Sequence, residues 1–129
     1  MVDEMDQDVR VEPPYLLAER PMLEAWLDWH RTTLRLKVEG LTDEQRKARP
    51  VASSAMSLHG LVRHLAEVEW WWFERVLDGD TSVEGIFVLD DDDPDADWFP
   101  LDDAVWEDDL TVWEDRCDRS RSIAARHEL

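Results

Sequence analysis

The 129-residue sequence has a single cysteine, Cys117, so no disulfide can close within the chain. Basic residues are scarce: 14 Lys and Arg stand against 32 Asp and Glu, a formal net charge of -18. A field of that sign repels nucleic-acid phosphates and anionic lipid surfaces, which excludes DNA, RNA or membrane-surface binding as the expected role. Long apolar runs are missing too. The WWWF run at 70–73 is bracketed by Glu69 and Glu74 and falls far short of the roughly 20 apolar residues that span a bilayer. The leading MVDEMDQDVRVEPP has neither the basic nor the apolar region of a secretory leader, so a cytoplasmic location is expected. Three familiar chemical signatures are also lacking: a serine–histidine–acid arrangement, a phosphate-cradling glycine loop and a paired-cysteine metal site.

What is present is enough to fold. Hydrophobic residues make up 43% of the chain and charged residues 36%, a mixture that buries one core beneath a strongly charged surface. The length suits one domain over 1–129. Residues 1–18, with Pro13 and Pro14, read as an extended N-terminal arm. From there Leu23, Trp26, Leu27, His30, Leu34 and Val38 recur at helical spacing, predicting a helix over about 20–38 that ends near Gly40. Thr42 and Gln45 form a capping-box pattern for a short connecting helix near 42–48, limited by Pro50. Ser57 and Gly79 punctuate a second long helix over about 58–78, whose apolar stripe is Leu58, Leu61, Val62, Leu65, Val68, Trp72 and Val76.

Residues 80–100 carry no sustained period and contain DDDDPDAD, which predicts an acidic loop. Four successive aspartates invite a calcium reading, but the ordered spacing and glycine turn of an EF-hand loop are missing, so a solvated loop is expected. Trp106, Leu110, Trp113, Cys117, Ser120, Ala124 and His127 then mark a third long helix over about 102–127, with Asp102 and Asp103 favoured at its positive end. The fold class predicted is an all-α, up-down helical bundle with a long crossover loop.

The candidates for chemistry are few. His59 and His64 are five residues apart, which turns them roughly 140° from each other around a helix, so they do not grip one metal ion together. His64 lies beside the apolar stripe with Glu67 one turn on, a spacing used in bundle metal sites. The alternative for His64 is a partly buried imidazole bonded to a neighbouring helix. His30 on the first stripe is explained by packing and a hydrogen bond, and His59 and His127 read as surface or helix-end residues. Trp26, Trp72, Trp106 and Trp113 follow the stripes and are expected in the core, whereas Trp70 and Trp71 fall to the sides and are candidates for a pocket or a subunit contact. Cys117 reads as a small buried hydrophobe rather than a nucleophile.

The runs EPPYLLAERPMLEAWLDWHRTTLRLKVEGLTDEQ, SLHGLVRHLAEVEWWWFERVL and WEDRCDRSRSIAA together resemble the DUF664 proteins of the DinB superfamily, most specifically through LVRHLAEVE at 61–69 and WLDWHRTTL at 26–34. The resemblance covers almost the whole chain. It implies a four-helix bundle with a long crossover, and a divalent metal such as zinc, nickel or iron held by three histidines, one on the second helix and two on the last. His64 matches the second-helix ligand. The resemblance also implies a thiol-dependent transferase or isomerase acting with mycothiol, bacillithiol or glutathione. This sequence stops at Leu129, after the third long helix, so the fourth helix and two of the three ligands are expected to be missing and metal to be absent or weakly bound.

Two further roles compete with a metal-dependent enzyme. A non-catalytic bundle would cover its apolar faces by pairing, so a homodimer is the expected partner state. An acidic surface of this size also suits a decoy for a basic protein.

Overall fold

The computed structural model describes residues 9–129, and residues 1–8 of the expected arm lie outside the described part. All regular structure among the described residues is helical: α1 spans Glu19–Val38, α2 Asp43–Lys47, α3 Leu58–Glu69 running on into a π-helical segment Trp70–Leu77, and α4 Trp106–Ala124. The all-α class expected from periodicity therefore holds. The described residues form two compact units, residues 9–39 with Leu129, and residues 40–128.

In the first unit, residues 9–18 carry no helix and are tied to α1 by Arg10. Its guanidinium donates to Thr33 Oγ1 at 3.2 Å and lies 4.4 Å over the Trp29 ring, pairing a hydrogen bond with a cation–π contact. Along α1, Trp26 meets Trp29 edge-on at 6.3 Å and the His30 ring at 6.0 Å. Glu19 sits in the first turn and Arg35 and Lys37 in the last, each complementing the helix dipole.

The second unit opens at Gly40, whose φ of 72° is the left-handed turn that glycine takes without a Cβ clash. Thr42 and Gln45 close the predicted capping box on α2: Gln45 N–H donates to Thr42 Oγ1 at 3.2 Å, and Thr42 N–H to Gln45 Oε1 at 2.9 Å. Ser57 caps α3 by accepting from the Gly60 N–H at 3.0 Å. α3 and the π segment pack along α4. Their shared core contains Val62, Ala66, Trp70, Trp106, Leu110, Trp113 and Cys117.

The π segment changes which residues face inward. An α-helical stripe carries Trp72 and Val76 into the core, yet Trp72 is 59% exposed and Trp70 only 5%. From Trp70 the turn widens beyond the α-helical value of about 3.6 residues, so positions four apart stay closer to one line. From Val62, a member of the predicted stripe, the buried row runs through Ala66 to Trp70 and Glu74 rather than to Trp72 and Val76. Buried Glu74 is matched across the interface by Arg116, whose Nη1 lies 2.7 and 2.9 Å from its two carboxylate oxygens.

α4 begins four residues later than expected. Ala104 N–H bonds the Leu101 carbonyl in a turn, Lys47 Nζ donates to the Ala104 carbonyl at 3.0 Å, and Val105 is extended, so the helix starts at Trp106. Glu107, Asp108 and Asp109 occupy the first turn in place of Asp102 and Asp103. The loop between the π segment and α4 is irregular, as expected, and residues 90–95 are exposed.

Candidate functional site

α3 presents Arg63, His64 and Glu67 to the long loop, and each fixes a different stretch of it. Glu67 is buried, and its Oε1 accepts three consecutive backbone N–H groups: Ile86 at 2.9 Å, Phe87, and Val88 at 2.6 Å. One carboxylate oxygen thereby satisfies three loop donors that have no helix or sheet to pair with. Arg63 holds the other end. Its Nε donates to the Asp97 carbonyl at 2.8 Å and its Nη2 to the Ala96 carbonyl at 2.9 Å, while its guanidinium lies 4.1 Å over the Phe87 ring.

With the loop held at both ends, Asp97 meets His64. Nδ1 of His64 lies 2.7 Å from Asp97 Oδ2, and the Asp97 side chain is 5% exposed against 38% for His64. A carboxylate only accepts, so Nδ1 carries the hydrogen of this bond and the Nε2 edge of the ring is left for a ligand. The second oxygen of Asp97 accepts the Trp98 N–H at 3.0 Å, and the Trp98 ring stacks on the imidazole with centroids 4.7 Å apart and planes 24° apart. The imidazole is thus fixed both in rotation and in tilt.

Close approach of this loop depends on Gly60. A methyl group there would stand 2.9 Å from the Trp98 carbonyl oxygen, closer than such atoms come, and a tight 3.1 Å from its ring. Gly60 thus serves to seat the loop on α3.

His64 lines a groove of 310 Å³ with Trp71, Trp72, Glu84, Val88 and Asp91 among its walls. Trp71 is 47% exposed, and with Trp72 it gives the groove an aromatic wall at the π segment, a kind of helix irregularity common at functional sites. No lysine or arginine lines this groove among the described residues, while Glu67, Glu84, Asp91 and Asp97 do, so it disfavours strongly anionic ligands.

His59 is not the surface residue its spacing suggested. It is 0% exposed, its Nε2 lies 2.7 Å from Asp109 Oδ2, and its ring meets Trp106 edge-on at 5.3 Å. Its Nδ1 finds no protein partner among the described residues. The same Asp109 oxygen takes Arg63 Nη1 at 3.1 Å. Burial pushes the Asp109 carboxyl up, but the hydrogen bonds from His59 and Arg63 and the charge of Arg63 outweigh it, so the group sits below its ordinary value of 3.8. His127 bonds Asp78 through Nε2 at 3.0 Å, which with Arg126 holds the Asp78 carboxyl below its ordinary range. Cys117 is buried, as predicted, with Sγ 3.7 Å from Glu69 Oε1.

The metal implied by the resemblance was to use His64. Around it the donors do not make a three-ligand set: no group of three His, Cys, Asp or Glu able to hold an ion occurs among the described residues. The neighbouring carboxylates of Asp97 and Glu67 are already committed to His64 and to loop N–H groups. One imidazole held by a carboxylate is the arrangement that supports a metal-bound histidine, but it supplies a single ligand.

A helical bundle protein with an oriented histidine–aspartate pair on an aromatic-walled groove is the class that fold and site define. By the match of its sequence to the family model described as mycothiol-S-transferase over residues 22–129, the chain belongs to that family, which is DinB-like. No curated protein and no solved structure matches the chain.

Sequence spacing found His64 but not its partner. Asp97 lies in a run of acidic residues where composition alone marks none of them, and Arg63 and Asp109 resemble ordinary surface charges. The one signal available was the Trp98–Phe99 pair directly after the acidic run, an aromatic anchor beside the aspartate that matters.

Proposed function

We propose that this chain transfers a cysteine-derived low-molecular-weight thiol of the mycothiol kind to an electrophilic carbon, with His64 as the base. Family membership supports the class of reaction. The observation that carries the reading is the 2.7 Å bond between His64 Nδ1 and Asp97, which turns Nε2 toward incoming substrate. As the thiol sulfur attacks, its hydrogen passes to Nε2, the sulfur–carbon bond forms, and the bond from carbon to the leaving group breaks with its electron pair. Asp97 stabilises the imidazolium that results, and Trp98 keeps the ring in plane. The groove walls of Trp71 and Trp72 exclude water on one side of the reacting sulfur.

The test is conjugation of mycothiol to a chromogenic aryl halide by the purified chain. The reading predicts turnover that disappears in His64→Gln; turnover at the uncatalysed rate in the unaltered protein sinks it. No step is assigned to a metal. We propose that zinc, nickel or iron binds this chain weakly through His64, which equilibrium dialysis with elemental analysis reads directly. A cytoplasmic location belongs to the same reading.

A second reading is favoured by one specific feature: Trp71, Trp72, Val76 and Leu77 leave a run of exposed apolar surface on the π segment. We propose that it supports pairing of two copies of the chain. Sedimentation equilibrium should find a dimer that Trp72→Glu dissociates; a monomer at all concentrations removes the reading.

A further inference from the structure

Behind the His64–Asp97 pair lies a second histidine–aspartate pair, His59–Asp109, and one side chain touches both. Arg63 donates from Nη1 to Asp109 at 3.1 Å, from Nε to the Asp97 carbonyl at 2.8 Å, and from Nη2 to the Ala96 carbonyl at 2.9 Å. Three nitrogens of one planar group are used in three directions, and the group is capped by the Phe87 ring at 4.1 Å. The Arg63 side chain is only 13% exposed and Asp109 10%, so the contact is shielded from water.

This geometry has a direct consequence for Asp97. Its carboxylate is placed by its own backbone, and that backbone has no helix or strand around it to fix it. The loop carbonyls at 96 and 97 are held by the Arg63 fork, and the fork is held by Asp109 on α4. Asp109 is in turn oriented by buried His59 at 2.7 Å. A planar, rigid donor group serves here where a point charge cannot, since a lysine reaches one acceptor direction well and not three.

We propose that Arg63 is a positioning residue that sets the His64 tautomer by way of the loop, with the His59–Asp109 pair as its fixed support. The inference rests on the reading of His64 as the working base, but its test does not depend on the reaction. Arg63 touches neither substrate nor His64; it acts through Asp97.

The experiment is the ¹⁵N spectrum of the histidine side chains in the full chain, with His64 assigned by its disappearance in His64→Gln. In the unaltered protein His64 should carry its hydrogen on Nδ1. Arg63→Lys keeps the charge and a donor, so it should retain the helical circular dichroism of the unaltered protein. It should nonetheless move His64 toward the Nε2–H form and lower thiol conjugation at least tenfold, chiefly in kcat. Asp109→Asn should do the same to a lesser degree. A folded Arg63→Lys protein with unchanged His64 nitrogen shifts overturns the proposal. Should both variants unfold, the unaltered protein still decides: the Arg63 Nε–H is predicted to be protected from exchange with water, and rapid exchange overturns the proposal. An inactive protein whose His64 tautomer still follows Arg63 supports this proposal while removing the transferase reading. An active one whose tautomer ignores Arg63 does the reverse.

Discussion

His64 and Asp97, 33 positions apart in sequence, share a 2.7 Å hydrogen bond that joins α3 to a loop with no regular structure. Because the aspartate is nearly buried and the imidazole half-exposed, the pair has a fixed base and an accessible tip. That is the organisation of a carboxylate that orients a working histidine.

Removing the orienting charge tests the pair. Asp97→Asn retains size but offers His64 Nδ1 either an amide hydrogen or a weaker acceptor, so the imidazole loses its fixed tautomer. Conjugation should fall by about 10- to 100-fold, the range seen when partners of this kind are replaced. The check is kcat/KM for mycothiol alongside a thermal melt, and a folded variant with full activity would remove Asp97 from the site.

Gly60→Ala should destabilise the protein even though alanine is the better helix former by about 1 kcal/mol. The added methyl meets the Trp98 carbonyl at 2.9 Å and must push the loop away. A lower melting temperature together with a changed tryptophan emission is expected. A more stable protein with an unchanged spectrum would show that Trp98 is not seated on α3.

Glu74 and Arg116 form a shielded ion pair, at 5% and 14% side-chain exposure. Glu74→Ala leaves Arg116 as a poorly hydrated charge, and its urea unfolding should show a loss of about 3–5 kcal/mol, with a smaller loss for Arg116→Ala because Arg119 Nη1 stands 3.8 Å from the Glu74 carboxylate. The paired replacement Glu74→Met with Arg116→Leu should recover most of it. Additive losses in the double variant would contradict the coupling.

Asp109 predicts an acid response. Its folded-state carboxyl lies below the ordinary value of 3.8 because His59 and Arg63 bond it more strongly than burial penalises it. A depressed carboxyl contributes stability that is fully present above the unfolded-state value and is lost as pH falls from there through the folded-state value. Unfolding free energy should therefore decline with acid below about pH 4, and Asp109→Asn should flatten that part of the curve. Equal slopes in the two proteins would contradict it.

The helices were legible in the sequence wherever a local signal sufficed. The Thr42–Gln45 box, the Ser57 cap and the glycines at 40 and 79 are short-range chemistry, and each appears where spacing placed it. The register beyond Trp70 was not legible, because the helix widens there into a π segment and α-helical periodicity then points Trp72 and Val76 the wrong way. The burial of His59 is hidden from its spacing for a related reason: it is created by Asp109 and Trp106, 50 and 47 positions later. Of the site itself, His64 could be read from its stripe and from family resemblance. Its partner Asp97 could not, since the contact is made by a loop whose path is set by Arg63 and Glu67 rather than by any period of its own.

The most direct test of the account is the rate of mycothiol conjugation by His64→Gln, a substitution that keeps a polar side chain on the groove and removes the base. Turnover by the unaltered protein is expected, with a loss of about 10²- to 10⁴-fold in the variant, which still folds and melts cooperatively. Conjugation by folded His64→Gln at the rate of the unaltered protein would contradict it.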